Sequence, residues 1–233
     1  METKILKIDP EEPEPERIEA AARLIREGKI VVLPTDTVYG LGVDTFNGEA
    51  VERIFRVKGR SKDKPLSILV SDFSEIEPLV EEIPPQALVL AGYFWPGALT
   101  LVFKASRKVP VLLTSDANKV GIRIPDNRIA LALIKAAGTP LTGSSANLSG
   151  HPELLGAEEA AGELGERIDL LIDGGKVRLG RPSTVVDISS CPPRVLRRGM
   201  ISRARMEAVL GSEIAGPPAR FQFYFQEGMS NAG

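Results

Sequence analysis

The stretch Ile30-Val31-Val32-Leu33-Pro34-Thr35-Asp36-Thr37-Val38-Tyr39-Gly40-Leu41 decides how the chain is read. Its first four residues are apolar and branched, as in a buried strand, and Pro34 ends the run because it has no N–H to give to a ladder. The residues after Pro34 are different in kind. Two threonines, an aspartate, a tyrosine and a glycine crowd the C-terminal edge of that strand. Such side chains are costly in a core but suit a ligand rim, and open α/β sheets bind ligands at the carboxyl ends of their strands. A capped turn, with Thr35 or Asp36 bonding the next backbone amides, accounts for the same residues. These residues alone leave both readings open.

Outward from this strand, strand and helix patterns alternate. Ile18, Ala21, Ala22, Leu24 and Ile25 fall at helical spacing, which predicts a helix from Pro15 to Glu27 stopped by Gly28. Further helices are predicted at 49–57, 73–80, 85–94, 127–137, 157–164 and from Ser202 to about Leu210, with Pro85 suited to a first turn. Strands are predicted at 66–70, 99–103, 120–124, 139–143, 170–173, 184–188 and 194–196. This alternation predicts one α/β domain with a mixed sheet. No interior linker divides it. The first boundary signal is Gly216-Pro217-Pro218, and beyond it Phe221, Phe223 and Phe225 alternate with polar or amphipathic residues, the pattern of a strand with one apolar face.

Composition narrows the function classes. The 233 residues carry 29 Lys and Arg against 31 Asp and Glu, a net charge of −2 that disfavours binding a polyanion through overall charge. One cysteine excludes an intramolecular disulfide, and one histidine, His151, excludes a three-histidine metal site within the chain. The N-terminus has no apolar or Arg-rich presequence pattern. The uncharged stretch Ile83–Phe103 is broken by Pro84, Pro85 and Trp95-Pro96-Gly97, so it reads as helix, turn and strand rather than a membrane span. The expectation is a cytoplasmic protein.

Familiar nucleotide signatures fail: Gly40-Leu41-Gly42 lacks the third glycine of a dinucleotide fingerprint, and Gly174-Gly175-Lys176 lacks P-loop spacing. Other segments carry chemistry. Between Arg53 and Lys64 stand six bases and one acid, either a solvated helix end or an anion site. Gly143-Ser144-Ser145-Ala146-Asn147-Leu148-Ser149-Gly150 offers small hydroxyl, amide and backbone groups of the sort that cradle phosphate, or an ordinary polar loop. Arg181–Asp187 enters a strand and Val195–Gly199 leaves one; Arg197 there reads equally as a surface ion-pair residue. His151 reads as an exposed loop histidine. The residues suggest an α/β domain that holds an anion among Arg, Lys, Ser and Thr. Without a nucleophile–base pair, catalysis would work by positioning and charge neutralisation.

Seven segments in order, PTDTVYGL, KGRSKDKPLSI, FWPGALTLVF, VGIRIPD, GSSANLSG, RPSTVVD and VLRRG, resemble the YrdC-like family of L-threonylcarbamoyladenylate synthases. The resemblance spans roughly residues 17 to 205 and implies the single-domain form, a catalytic domain over 1–210 and a tail over 211–233. It implies a twisted mixed sheet with a concave basic face, and a reaction of L-threonine, bicarbonate and ATP to threonylcarbamoyl-AMP and pyrophosphate. Downstream threonylcarbamoyl transferase proteins would then modify adenosine 37 of tRNA to t6A; direct contact with tRNA or other RNA is left open. It places Lys58 and Arg60 as catalytic residues on the phosphates and carbamate, Ser145, Asn147 and Arg197 on ATP, and Thr37, Arg123 and Ser183 in the threonine pocket. Mg2+ would travel on the ATP phosphates. Lys64, Leu69, Ala98 and Lys119 depart from residues common in the family, and Lys64 and Lys119 add positive charge near the expected phosphates. Two rivals are an RNA-binding module on the same basic face, which aromatic content of 5% disfavours, and a carbamoyl-phosphate-using adenylation domain, whose zinc cysteines are missing.

Overall fold

Val31 and Leu33 pack with one hydrophobic cluster and Val32 with another, as the period of two along a strand requires. That alternation, repeated at Leu170, Leu171 and Ile172, places helices on both sides of a sheet. The computed structural model describes residues 4–114 and 118–217. In chain order it contains β1 (Lys4–Lys7), α1 (Pro15–Arg26), β2 (Val31–Leu33), β3 (Gly40–Gly42), α2 (Gly48–Lys58), β4 (Ser67–Leu69), α3 (Pro85–Phe94), β5 (Leu99–Lys104), β6 (Lys119–Arg123), α4 (Arg128–Ala137), β7 (Leu141–Ser145), α5 (Ala157–Leu164), β8 (Leu170–Asp173), β9 (Thr184–Asp187), β10 (Arg194–Arg197) and α6 (Arg203–Leu210).

The ten strands form one mixed sheet in the order β1-β8-β2-β3-β7-β4-β6-β5-β9-β10. Helices α1 and α4 pack against each other over β2 and β8, with Ile18, Ile25, Ile129 and Leu133 in their shared cluster. The larger cluster takes Ile54 and Phe55 of α2, Leu90 of α3, Leu164 of α5 and Met206 of α6 onto the opposite side chains of the strands. The predicted α/β fold with a mixed sheet is therefore the one formed, and most elements fall within a residue or two of their expected limits.

The differences have physical reasons. Residues 73–80 form two short 3-10 turns, Phe73–Glu75 and Glu77–Leu79, with Pro78 near the start of the second and Val80 already extended. Strand β1 carries no buried side chain and exists because its backbone pairs with β8. Strand β3 is Gly-Leu-Gly, and no propensity scale favours it; Gly42 is needed because a Cβ there would stand 2.9 Å from Leu33 Cδ2. Past α6, Ile214 is buried and Ala215 bonds to Pro193 and Val195, so the packed body runs at least to residue 215. The alternating segment at 221–225 lies outside the described residues.

Candidate active site

Register brings the singled-out segments together. Leu33 faces Gly40 and Gly40 faces Ser145, so the 34–39 turn lies beside the end of β7. Leu99 faces Thr184, which sets Ser183 next to the Trp95–Ala98 turn. Along β6, Gly121 has Thr100, Ser67 and Val102 around it, so this face of the sheet is floored by small side chains between Lys119 and Arg123.

The 34–39 turn is buried throughout. Thr35 Oγ1 accepts from the Thr37 and Val38 amides at 3.2 and 3.3 Å and donates to Val38 O at 2.7 Å, so the capped-turn reading is right about Thr35. Tyr39 donates to Gly175 O at 2.6 Å, and burial pushes its pKa up to about 12. Asp36 and Thr37 face inward to Arg123. The Arg123 guanidinium donates from Nε to Gly97 O at 2.8 Å, from Nη1 to Thr37 Oγ1 at 2.8 Å, and from Nη2 to Asp36 Oδ1. Asp36 Oδ1 also accepts from the Asp126 amide at 3.1 Å, while its Oδ2 is buried without a partner. Burial pulls the Arg123 pKa down and Asp36 opposes that shift. The Arg123 and Asp36 side chains are 7% and 0% exposed, so removing either partner would leave the other buried without its counter-charge.

Gly97 has its own reason. A Cβ there would lie 2.6 Å from Phe94 O, so only glycine lets the chain turn back and offer its carbonyl to Arg123.

Arg197 and Ser183 form a second unit. Arg197 donates from Nε and Nη2 to Ser183 O at 3.1 and 2.9 Å and from Nη2 to Ser183 Oγ at 3.0 Å; Ser183 Oγ lies 2.8 Å from Thr100 Oγ1. Burial pulls the Arg197 pKa down to about 10; Glu153 opposes this, and the like charges of Arg123 and Arg60 add to it. Gly199 is required because a Cβ there would stand 2.4 Å from Ser183 C and Thr184 N.

The basic run divides in two. Arg53 pairs with Asp169 at 2.9 Å and Lys62 with Glu52 at 2.6 Å, and Arg56 is exposed; these are the solvated helix end. Lys58 follows Val51, Ile54 and Phe55 on the inward face of α2 and is buried. Its Nζ donates to Ser145 O, Asn147 O and Asn147 Oδ1, three oxygens for three N–H groups. Burial first, and then the charge of Arg60, push its pKa down to about 7. Arg60 is half-buried, donates to Lys64 O at 3.0 Å and Pro65 O at 3.1 Å, and has its pKa lowered by burial.

The structure thus bonds Thr37 to Arg123 and Ser183 to Arg197, two pairs that adjoin through the Gly97–Ala98 backbone, and bonds Lys58 to Ser145 and Asn147. Electrostatics links Arg60 to both groups. Lys119 is on the same face, but Asp187 Oδ2 lies 2.7 Å from its Nζ, so it adds no net charge there. His151 is 55% exposed beside Glu163. Sequence reasoning misses Asp36, the Gly97 carbonyl and Thr100 as individual site residues. Asp36 is legible only as part of its motif, and a backbone carbonyl leaves no trace in composition.

Comparisons with known proteins bear on the family and the fold. A family model described as Sua5/YciO/YrdC, telomere recombination, matches residues 23–199. The chain is 44% identical over 203 residues to the threonylcarbamoyl-AMP synthase of Pyrococcus abyssi, covering 87% of this chain and 59% of that relative, so it spans less than two thirds of the relative's length. It is 40% identical over 198 residues to a putative threonylcarbamoyl-AMP synthase of Mycobacterium tuberculosis, covering 85% of this chain and 91% of that one. The solved structure of P. abyssi Sua5 complexed with L-threonine superposes with a TM-score of 0.90 at 43% identity, over 93% of this chain and 63% of that one. On its seven ordered motifs, its fold and these matches, the chain belongs to the Sua5/YciO/YrdC family.

Proposed function

We propose that this protein is a threonylcarbamoyl-AMP synthase: it joins L-threonine, bicarbonate and ATP into threonylcarbamoyl-AMP with release of pyrophosphate. The observation that carries this reading is the buried Asp36–Arg123–Thr37 unit beside Ser183, Arg197 and Thr100. It offers hydroxyls and fixed cations at one place, which is what recognition of a small hydroxy-amino acid needs. A relative of this fold at 43% identity has been solved with L-threonine.

Thr37, Arg123 and Ser183 would hold threonine. Arg60, Arg197 and the Ser145–Asn147 loop would hold the nucleotide, with Lys58 fixing that loop. The threonine amine adds to bicarbonate with loss of water, giving a carbamate. A carbamate oxygen then forms a bond to the α-phosphorus and the bond to the pyrophosphate oxygen breaks. The carbamate is already anionic, so alignment and neutralisation of charge on the phosphoryl oxygens supply the catalysis. No group of three or more His, Cys, Asp or Glu among the described residues could cage a metal ion. A magnesium ion would arrive on the triphosphate and neutralise part of its charge. The product would pass to a threonylcarbamoyl transferase for tRNA t6A formation. No helix among the described residues is long and apolar enough to cross a membrane. Nothing specific favours the RNA-binding alternative.

Substrate discrimination tests the reading. A site that bonds a substrate hydroxyl rejects the analogue lacking it. ATP-dependent pyrophosphate release should be strong with L-threonine, weaker with L-serine, and at least about tenfold lower with L-valine. Equal release with valine would contradict it.

A further inference from the structure

Helix α3 carries no charged residue, and it is apolar on both faces. Leu90 and Phe94 turn into the core. Pro85, Leu88, Val89, Gly92, Tyr93 and Pro96 recur at spacings of three and four along the other side, and all of them are exposed. Leu88 is 53% exposed and Tyr93 71%. The other large apolar side chains exposed among the described residues, Ile5, Phe46, Val111 and Met200, come from four separate segments, as scattered surface residues do. A continuous apolar stripe on a helix is the mark of a face that something covers. The chain itself supplies a segment of matching character. Beyond Pro217 it runs on to Gly233, with Phe221, Phe223 and Phe225 on one face of an alternating pattern and no charge from Phe221 to Gln226. The described chain also ends near the stripe. Helix α6 packs on α3, with the Arg205 guanidinium 5.4 Å from the centre of the Phe94 ring. A Cβ on Gly216 would lie 3.9 Å from Arg203 Nη1, so the chain leaves beside the first turn of α6, the turn that meets the C-terminal end of α3. From there the stretch 218–225 can span up to roughly 26–29 Å when extended, against about 15 Å for the length of α3.

We propose that residues 218–226 of the same chain dock on the outward face of α3, with Phe221, Phe223 and Phe225 against Leu88, Val89 and Tyr93. Gln222, Tyr224 and Gln226 then face water. Two apolar surfaces leave water together, and that burial is the driving force. The docked segment also braces the helix that feeds the active-site turn: α3 ends at Phe94, and Gly97 just beyond it gives its carbonyl to Arg123. The proposal does not depend on which substrates the site takes.

Two measurements test it. In the first, Leu88→Ser/Tyr93→Ser is made in the full chain and in a chain ending after Pro217. Polar replacements on a bare surface leave stability nearly unchanged. The pair should therefore lower the Tm of the full chain by at least about 3 °C, the shift that a lost contact of ordinary strength gives at this length, and that of the shortened chain by less than about 1 °C. Equal shifts in the two chains overturn the proposal. In the second, Cys191, the only cysteine, is replaced by serine and a nitroxide spin label is attached at Leu88→Cys, or at Ile5→Cys on the opposite edge of the sheet. The amide signals of residues 221–225 should broaden with the label at position 88 and not with the label at position 5. No broadening from position 88, or equal broadening from both, overturns the proposal. Mixing spin-labelled chains with unlabelled 15N chains separates the remaining case: broadening that passes only between chains would make the occupant the tail of a second copy and overturn docking within one chain.

Discussion

Asp36 and Arg123 are each tolerable in the interior only because of the other. Removing one partner of such a pair strands a buried charge and costs about 3–5 kcal/mol. Asp36→Asn should therefore lower unfolding free energy by about that amount in denaturant titrations. The loss should exceed that of the double variant Asp36→Asn/Arg123→Met, which leaves no stranded charge. Strict additivity of the two single variants would show that the pair is not coupled. Lys58 gives a pH prediction. The unfolded chain keeps this proton to about 10.5, while the folded protein gives it up near 7. Between those values the unfolded state holds more protons, so stability from this residue is fully present above the upper value and is lost as pH falls through the lower one. The stability difference between wild type and Lys58→Met should therefore move in favour of wild type as pH rises from 7 to 10; a flat difference would contradict the shifted pKa. Arg60 bears on turnover instead: Arg60→Ala should keep the fold and lower adenylate formation at least about tenfold, or 1.4 kcal/mol of transition-state stabilisation. Undiminished turnover would remove Arg60 from the phosphates. The sequence shows the charge density of this region but not its division. Lys58 and Lys62 look alike on paper, and only the helical phase that sets Lys58 in line with Val51, Ile54 and Phe55 sends it inward.

Among the elements, the turn after β10 is locked to the start of β9 through Gly199 and the Arg197–Ser183 bonds. Gly199 stands against Ser183 and Thr184 with no room for a methyl group, and the neighbours are backbone, which cannot swing aside. Gly199→Ala should push Ser183 out of place. The expected signature is a raised KM for L-threonine together with lower kcat, with destabilisation of about 1–3 kcal/mol from overpacking. Kinetics and stability both at wild-type levels would show that the backbone yields there. Helices with an amphipathic face and a cap signal are legible in the sequence: Asn127 caps α4 through the Ala130 amide at 3.0 Å, and Gly138 ends it in the left-handed conformation at φ 70°. Strand β3 is not legible, because Gly-Leu-Gly is extended only through its two neighbours, β2 and β7. From sequence alone the polar turn before it reads equally as a ligand rim or as a capped turn. The structure shows it buried, with Asp36 and Thr37 both bonded to Arg123.

The whole molecule is one sheet with helices on both sides, and its packed body extends past α6 to Ile214 and Ala215. Two shortened chains, one ending after Pro217 and one after Leu210, isolate what residues 211–217 contribute. One ending after Leu210 loses a buried isoleucine and the backbone bonds to Pro193 and Val195, about 2–4 kcal/mol in all. For a domain of this size that is a drop of roughly 5–10 °C in Tm. Equal melting of the two would show that residues 211–217 add nothing. At this scale the fold class follows from the alternation of periods, while the order of ten strands does not, since long-range pairing leaves little mark on local sequence. The central claim is that Thr37, Arg123 and Ser183 hold threonine against a nucleotide held by Arg60 and Arg197. It is tested most directly by incubating the purified protein with ATP, L-threonine and isotopically labelled bicarbonate, and identifying the nucleotide product. The account predicts an adenylate that carries both threonine and the bicarbonate carbon, formed with an equal amount of pyrophosphate and absent when any one substrate is left out. ATP breakdown that does not depend on threonine, or an adenylate without the labelled carbon, would contradict it.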